Sequence, residues 1–159
     1  MLNTRRRLSL AILITILAGT LTACWGDTAS PDHDLAMAPM SAMPADVQAA
    51  PAVTQQAYQF AVANPEVMKQ MPCYCGCGAT PALHPQRGAS VGHTSNYMCY
   101  VRGVDANGQV EFDSHAIGCS ICVDITQDVM RLMRQGKSVQ DIRAYVDRTY
   151  SRYGPSNMK

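Results

Sequence analysis

The segment Pro72-Cys73-Tyr74-Cys75-Gly76-Cys77-Gly78 limits more than any other what this chain can become. Three thiols fall within five positions, with glycines between and after them. Disulfide geometry is narrow, so three cysteines this close cannot all pair with one another. At least one must turn to a distant cysteine or to a metal. Gly76 and Gly78 lack a Cβ, which lets a short loop wrap around something small. Thiolates on such a loop converge readily on a soft ion, and the segment reads as a metal-gathering loop.

Further ligands lie downstream. Cys99 falls in a β-like run, residues 97–102, on one face with Tyr97 and Val101. Cys119-Ser120-Ile121-Cys122 sets two thiols at i and i+3 where a helix is predicted to start. Exposed N–H groups there favour the thiolate form. The pair suits a bidentate metal grip and a redox disulfide equally well. His93 and His115 stand beside these cysteines, and each offers a ring nitrogen. His84, between Leu83 and Pro85, reads as a solvent-facing loop residue within 79–92.

The first residues carry an export signal. Arg5, Arg6 and Arg7 precede an apolar run over residues 8–21, and Leu21-Thr22-Ala23-Cys24 follows. The run is short for a membrane span. The four residues look like the lipobox of bacterial lipoproteins, which implies acylation of Cys24 and attachment to a membrane without crossing it. This places the protein in the cell envelope, facing the extracytoplasmic side. Loss of residues 1–23 takes away three arginines and no acid, so the net charge falls from +1 to −2. That balance excludes a nucleic-acid partner, and no phosphate-cradling glycine loop is present. Six cysteines remain after Cys24. In an exported domain an even count ordinarily predicts disulfides, which a metal site has to displace.

Residues 24–50 are rich in Ala, Pro and Met and read as a flexible tether. Met37, Met40 and Met43 recur every third residue, which in a polyproline-like chain aligns three thioethers as auxiliary ligands for Cu(I). A helix is predicted from Pro51, ending at Asn64-Pro65, followed by a short turn over 66–70. A hairpin is expected from residues 97–102 and 109–112 around Asn107-Gly108. Cys122, Ile125, Val129, Leu132 and Met133 then trace one helix face, which Gly136 stops. Ser138 and Asp141 cap a second helix bearing Val139, Ile142, Val146 and Tyr150. The expectation is a small, mainly α domain over residues 51–154, with one β-hairpin, held together by a cysteine-rich metal site, and a tail at 155–159.

Zinc asks for four ligands in a tetrahedron, whereas Cu(I) accepts two or three thiolates and shares bridging sulfurs. A dense odd triplet suits Cu(I), in more than one ion, with zinc the alternative. The motifs quoted above, together with Gly92-His93, Phe112-Asp113-Ser114-His115 and Gly118-Cys119-Ser120-Ile121-Cys122-Val123-Asp124-Ile125, resemble the bacterial lipoproteins named for a PCYCGC motif. That resemblance implies metal binding, copper in particular. From Cys119 onward the chain also resembles the small thiol reductases of cytochrome c maturation, with Gly136-Lys137-Ser138 at the turn. The leading expectation is a non-enzymatic lipoprotein that stores, buffers or delivers Cu(I) to an exported cuproenzyme or a copper transporter. Its site comprises Cys73, Cys75, Cys77, Cys99, Cys119 and Cys122 with His93 and His115. The rivals are a thiol–disulfide oxidoreductase working through Cys119 and Cys122, and a structural zinc domain for protein contacts.

Overall fold

A computed structural model describes residues 33–78 and 92–158. The expected export signal, Cys24 and the loop with His84 lie outside these residues. Helix α1 spans Ala45–Gln48, α2 Ala52–Ala63 and α3 Pro65–Met68. Strands β1, Val101–Val104, and β2, Val110–Phe112, form an antiparallel hairpin, and helices α4, Ser120–Arg134, and α5, Val139–Tyr150, follow, with a 3-10 turn at Ser151–Tyr153 after them. The domain is therefore mainly helical with one small hairpin, as expected.

Each helix follows from local chemistry. Pro51 precedes α2, where its missing N–H costs no hydrogen bond. Ala57, Tyr58, Phe60 and Ala61 bury one side of α2, while Val53, one turn before Ala57 at the start of the helix, is exposed. Helix α4 buries Cys122, Val123, Ile125, Thr126, Val129, Met130 and Leu132, a stripe at helical spacing. It ends where Gly136 N–H donates to Met133 O and Lys137 N–H to Leu132 O, the paired bonds of a Schellman stop. Ser138 Oγ then accepts from Asp141 N–H at 3.1 Å and starts α5. Helix α4 packs between α2 and α5, and all bury into one core that includes four of the cysteines, Cys73, Cys77, Cys99 and Cys122. The arginines of this region lie largely at the surface, with Arg131 and Arg143 paired to Asp128 and Asp147 one turn away.

Three expectations need correction. Residues 96–99 form a 3-10 turn, and the first strand begins only at Val101. In that turn positions three apart eclipse, so Asn96 and Cys99 are the buried pair, not Tyr97 with Cys99.

The supposed tether joins the fold from residue 33. His33 N–H donates to Arg134 O, Ala38 N–H to Gln59 O, and Met43 and Val47 are 3% and 1% exposed. Met37, Met40 and Met43 therefore do not share one side. Met37 faces solvent, Met40 opens a 3-10 turn and Met43 is in the core. Apolar burial won over the three-residue period.

The end of the chain is no loose tail either. Asn157 Oδ1 accepts from Cys73 N–H at 2.7 Å, and Asn157 N–H donates to Cys73 O at 3.1 Å.

Candidate metal centre

The thiol loop, residues 73–78, has no helix or strand of its own. Gly76 takes φ +84°, a left-handed turn between a half-buried Cys75 and a buried Cys77 that glycine adopts without strain. At Gly78 the constraint is room. A Cβ there would lie 2.5 Å from the Asn157 side chain. The two-way bond from Asn157 to the Cys73 backbone holds the loop's first thiol in place.

On the other side, α4 delivers Cys122 through its first turn. The Cys122 carbonyl accepts from Tyr100 Oη at 2.8 Å, Thr126 Oγ1 at 3.0 Å and Asn96 Nδ2 at 3.3 Å. Tyr100 and Thr126 are themselves hydrogen-bonded at 2.7 Å, and Asn96 donates to Thr126 at 2.9 Å. This buried polar knot ties the helix start to the turn that carries Cys99. His115 is set by the carboxylate before it. Asp113, itself 3.8 Å from Arg102, accepts from the His115 N–H at 2.8 Å. Tyr58 Oη donates to the Asp113 carbonyl at 2.6 Å.

All eight expected ligands meet. Cys73 Sγ lies 3.2 Å from Cys75 Sγ and 3.4 Å from Cys122 Sγ. Cys122 Sγ lies 3.2 Å from Cys119 Sγ and 3.8 Å from Cys75 Sγ. Cys99 Sγ is 3.2 Å from His93 Nδ1 and 3.9 Å from Cys77 Sγ, and His115 Nε2 is 3.4 Å from Cys75 Sγ. The two imidazoles meet edge to face, centroids 4.9 Å apart. No pair of these six cysteines is disulfide-bonded, and every separation is well beyond the ~2.05 Å of an S–S bond. They approach the edge, about 3.8 Å, of a tetrahedron with metal–sulfur bonds of ~2.3 Å.

Four overlapping groups of donor atoms lie within 4.8 Å of one another: Cys75, His115, Cys119 and Cys122; Cys77, His93, Cys99 and His115; Cys73, Cys75 and Cys77; and Cys73, Cys99 and Cys122. The arrangement can hold a metal ion, and its chemistry is that of a soft-metal site.

The thiols share protons unequally. Hydrogen bonding with Cys122 and then Cys75 brings Cys73 down to about 5. Cys119 and Cys122 likewise hold Cys75 far below the usual thiol range. Burial pushes Cys99 up, but bonds to Cys122, Cys73 and Cys77 outweigh it and leave it low. Cys77 is raised by Cys73 and Cys75, and Cys122 by Cys119 and Cys73. His115 rises to about 10, through Cys119 first and Cys75 second. Cys73, Cys75 and Cys99 are thus biased toward the thiolate and Cys77 and Cys122 toward the thiol, with His115 biased toward the imidazolium. A metal cation would replace those protons and release them.

Sequence reasoning missed the supports: Asn96, Tyr100, Thr126, Asp113 and Asn157. Tyr100 and Thr126 look apolar-facing by spacing alone. Asn157 has no local signal at all, because its role depends on a partner 84 residues away. Met37 and Met43 stand apart from one another in exposure, and Cys24 lies outside the described residues.

A family model described as a protein of unknown function with PCYCGC motif matches residues 13–157. No curated protein and no solved structure matches the chain.

Proposed function

The chain belongs to the PCYCGC-motif family, and from that premise and the converged donors we propose a membrane-tethered, extracytoplasmic lipoprotein that binds Cu(I) in a multi-cysteine cluster. Storage, buffering or delivery to an exported cuproenzyme or copper transporter follows from such a site. Lipidation at Cys24 would provide the anchor.

One observation carries the choice of metal. Five of the six thiols, all but Cys119, belong to two donor groups each, so their sulfurs are placed to bridge ions. Bridging thiolates are how Cu(I) builds compact clusters. Two separate zinc tetrahedra fit less well, because both four-membered groups claim His115 and neither uses Cys73. The oxidoreductase reading meets a related difficulty. Cys122 Sγ lies 3.2 Å from Cys119 but only slightly farther from Cys73, at 3.4 Å, so a disulfide at Cys119–Cys122 would be open to reshuffling.

The test is metal content of the full-length protein, purified in detergent without oxygen and offered Cu(I) and Zn(II) in turn. More than one tightly held copper per chain, with an ultraviolet thiolate-to-copper band, supports the reading. Copper below about one ion per several chains ends it, and four-coordinate zinc in its place favours the structural alternative.

A further inference from the structure

The eight ligands are not equally accessible. Cys73, Cys99 and Cys122 are 0% exposed, His93 1% and Cys77 2%. Cys75, His115 and Cys119 are only half-buried. These half-buried three fall together in one donor group, with Cys122 as its inner member, whereas the group of Cys73, Cys99 and Cys122 is buried throughout. Cys119 is also flanked in sequence by Gly118 and Ser120, both exposed, which line an open groove with Val53 and Ile117. Part of Cys119 thus reaches the surface, whereas none of Cys99 does.

We propose that the centre holds its ions in two unequal positions, an inner one on Cys73, Cys77, Cys99, Cys122 and His93 and a rim one on Cys75, Cys119 and His115, and that ions enter and leave only at the rim. The proposal rests on the Cu(I) reading and adds an order of exchange to it. His115 is the side chain through which the two positions communicate. It belongs both to the rim group and to the group around His93, and its ring meets that of His93 edge to face. Exchange at the rim is a ligand substitution. An incoming sulfur or nitrogen donor forms a bond to Cu(I) as the Cys119 Sγ–copper bond breaks. The released thiolate takes a proton from water, and copper remains Cu(I). The inner ion offers no face to an incoming donor unless residues 73–78 or 92–99 open, so its exchange is limited by local unfolding.

The experiment loads the full-length protein with Cu(I) in detergent without oxygen and mixes it with excess bathocuproine disulfonate, whose copper complex is coloured. Two release phases are expected, the first faster by about tenfold or more, since exposure governs access to a thiolate site. Iodoacetamide added after the first phase should label Cys75 and Cys119, located by peptide mass, and leave Cys73, Cys99 and Cys122 unlabelled. Cys119→Ser should remove the fast amplitude and keep the slow one, and His115→Asn should slow refilling of the inner position from the rim. A single release phase, or labelling of Cys99 together with Cys119, overturns the two-position proposal while leaving copper binding intact. Failure to take up copper at all overturns the functional reading beneath it. Because the labelling uses the unaltered chain, the proposal stays testable if a variant does not fold.

Discussion

Residues 73–78 contain neither helix nor strand, whereas α4 and α5 bury one regular apolar stripe each, and yet the loop and the start of α4 supply adjacent thiols to the same donor cluster. The helices are held by repetition. Ile125, Val129 and Leu132 meet the neighbouring elements at helical spacing, and Gly136 and Ser138 close the ends. The loop is held by single, distant partners: Asn157 on the Cys73 backbone, Met71 O accepting from Asn96 N–H, and sulfur against sulfur. A region built on repetition keeps its shape when one contact is lost. A region built on single partners, several of them ligands, has its order lent to it by whatever binds.

The strongest way to break this comparison is to strip the metal. Hydrogen exchange should then accelerate across residues 73–78 and 92–99 and change little in α4 and α5. A ligand at about 1,000 times its Kd stabilises by about 4 kcal/mol, and that increment should vanish from the loop side. Uniform loss of protection through α5 would show that the two regions are one cooperative unit.

Next in size is a core truncation on the helical side. Ile125→Ala should cost roughly 2–4 kcal/mol in denaturant unfolding, by similar amounts with and without metal, because Ile125 packs at 0% exposure in α4.

Acidification separates the regions by charge. Cys73 ionises at about 5 in the folded metal-free protein, below its ordinary 9.0, so the unfolded chain binds more protons between those values. That contribution is present above the unfolded value and is lost as pH falls through 5. His115, raised from 6.5 to about 10, works oppositely: its contribution is full below 6.5 and is lost as pH rises through 10. Metal-free protein should therefore be most stable between these limbs, with Cys73→Ser flattening the acid side, as read by urea midpoints across pH.

Smaller still, Asn157→Ala removes the clasp on Cys73 and should cost about 1–2 kcal/mol, with faster exchange confined to the loop. Ser138→Ala takes the cap from α5 and should cost about 1 kcal/mol, confined to the helical pair.

The same contrast explains what could be read from the sequence. The helices carried their own signals: Pro51 before α2, the Cys122–Leu132 stripe, Gly136, and Ser138 with Asp141. The eight donors that converge in the fold were legible as candidate ligands, because soft-metal chemistry selects residue types and thiols so crowded in sequence leave few alternatives. What local patterns could not reveal were contacts between remote positions. Met43 and Val47 fill a gap against the core that the Ala- and Pro-rich composition around them concealed. Tyr100, Asn96 and Thr126 form a polar knot visible only once the helix start and the 3-10 turn are adjacent. Residues 97–99 read as the start of a strand because Tyr, Met and Cys alternate plausibly there, but burial at Asn96 and Cys99 follows a period of three.

Alkylation of freshly isolated full-length protein, with mass measured before and after metal removal under denaturation, tests the central claim most directly. The six thiols downstream of Cys24 should be shielded before removal and all react afterwards without any reductant. Thiols that stay unreactive until a reductant is added, with masses fitting three disulfides, would contradict it.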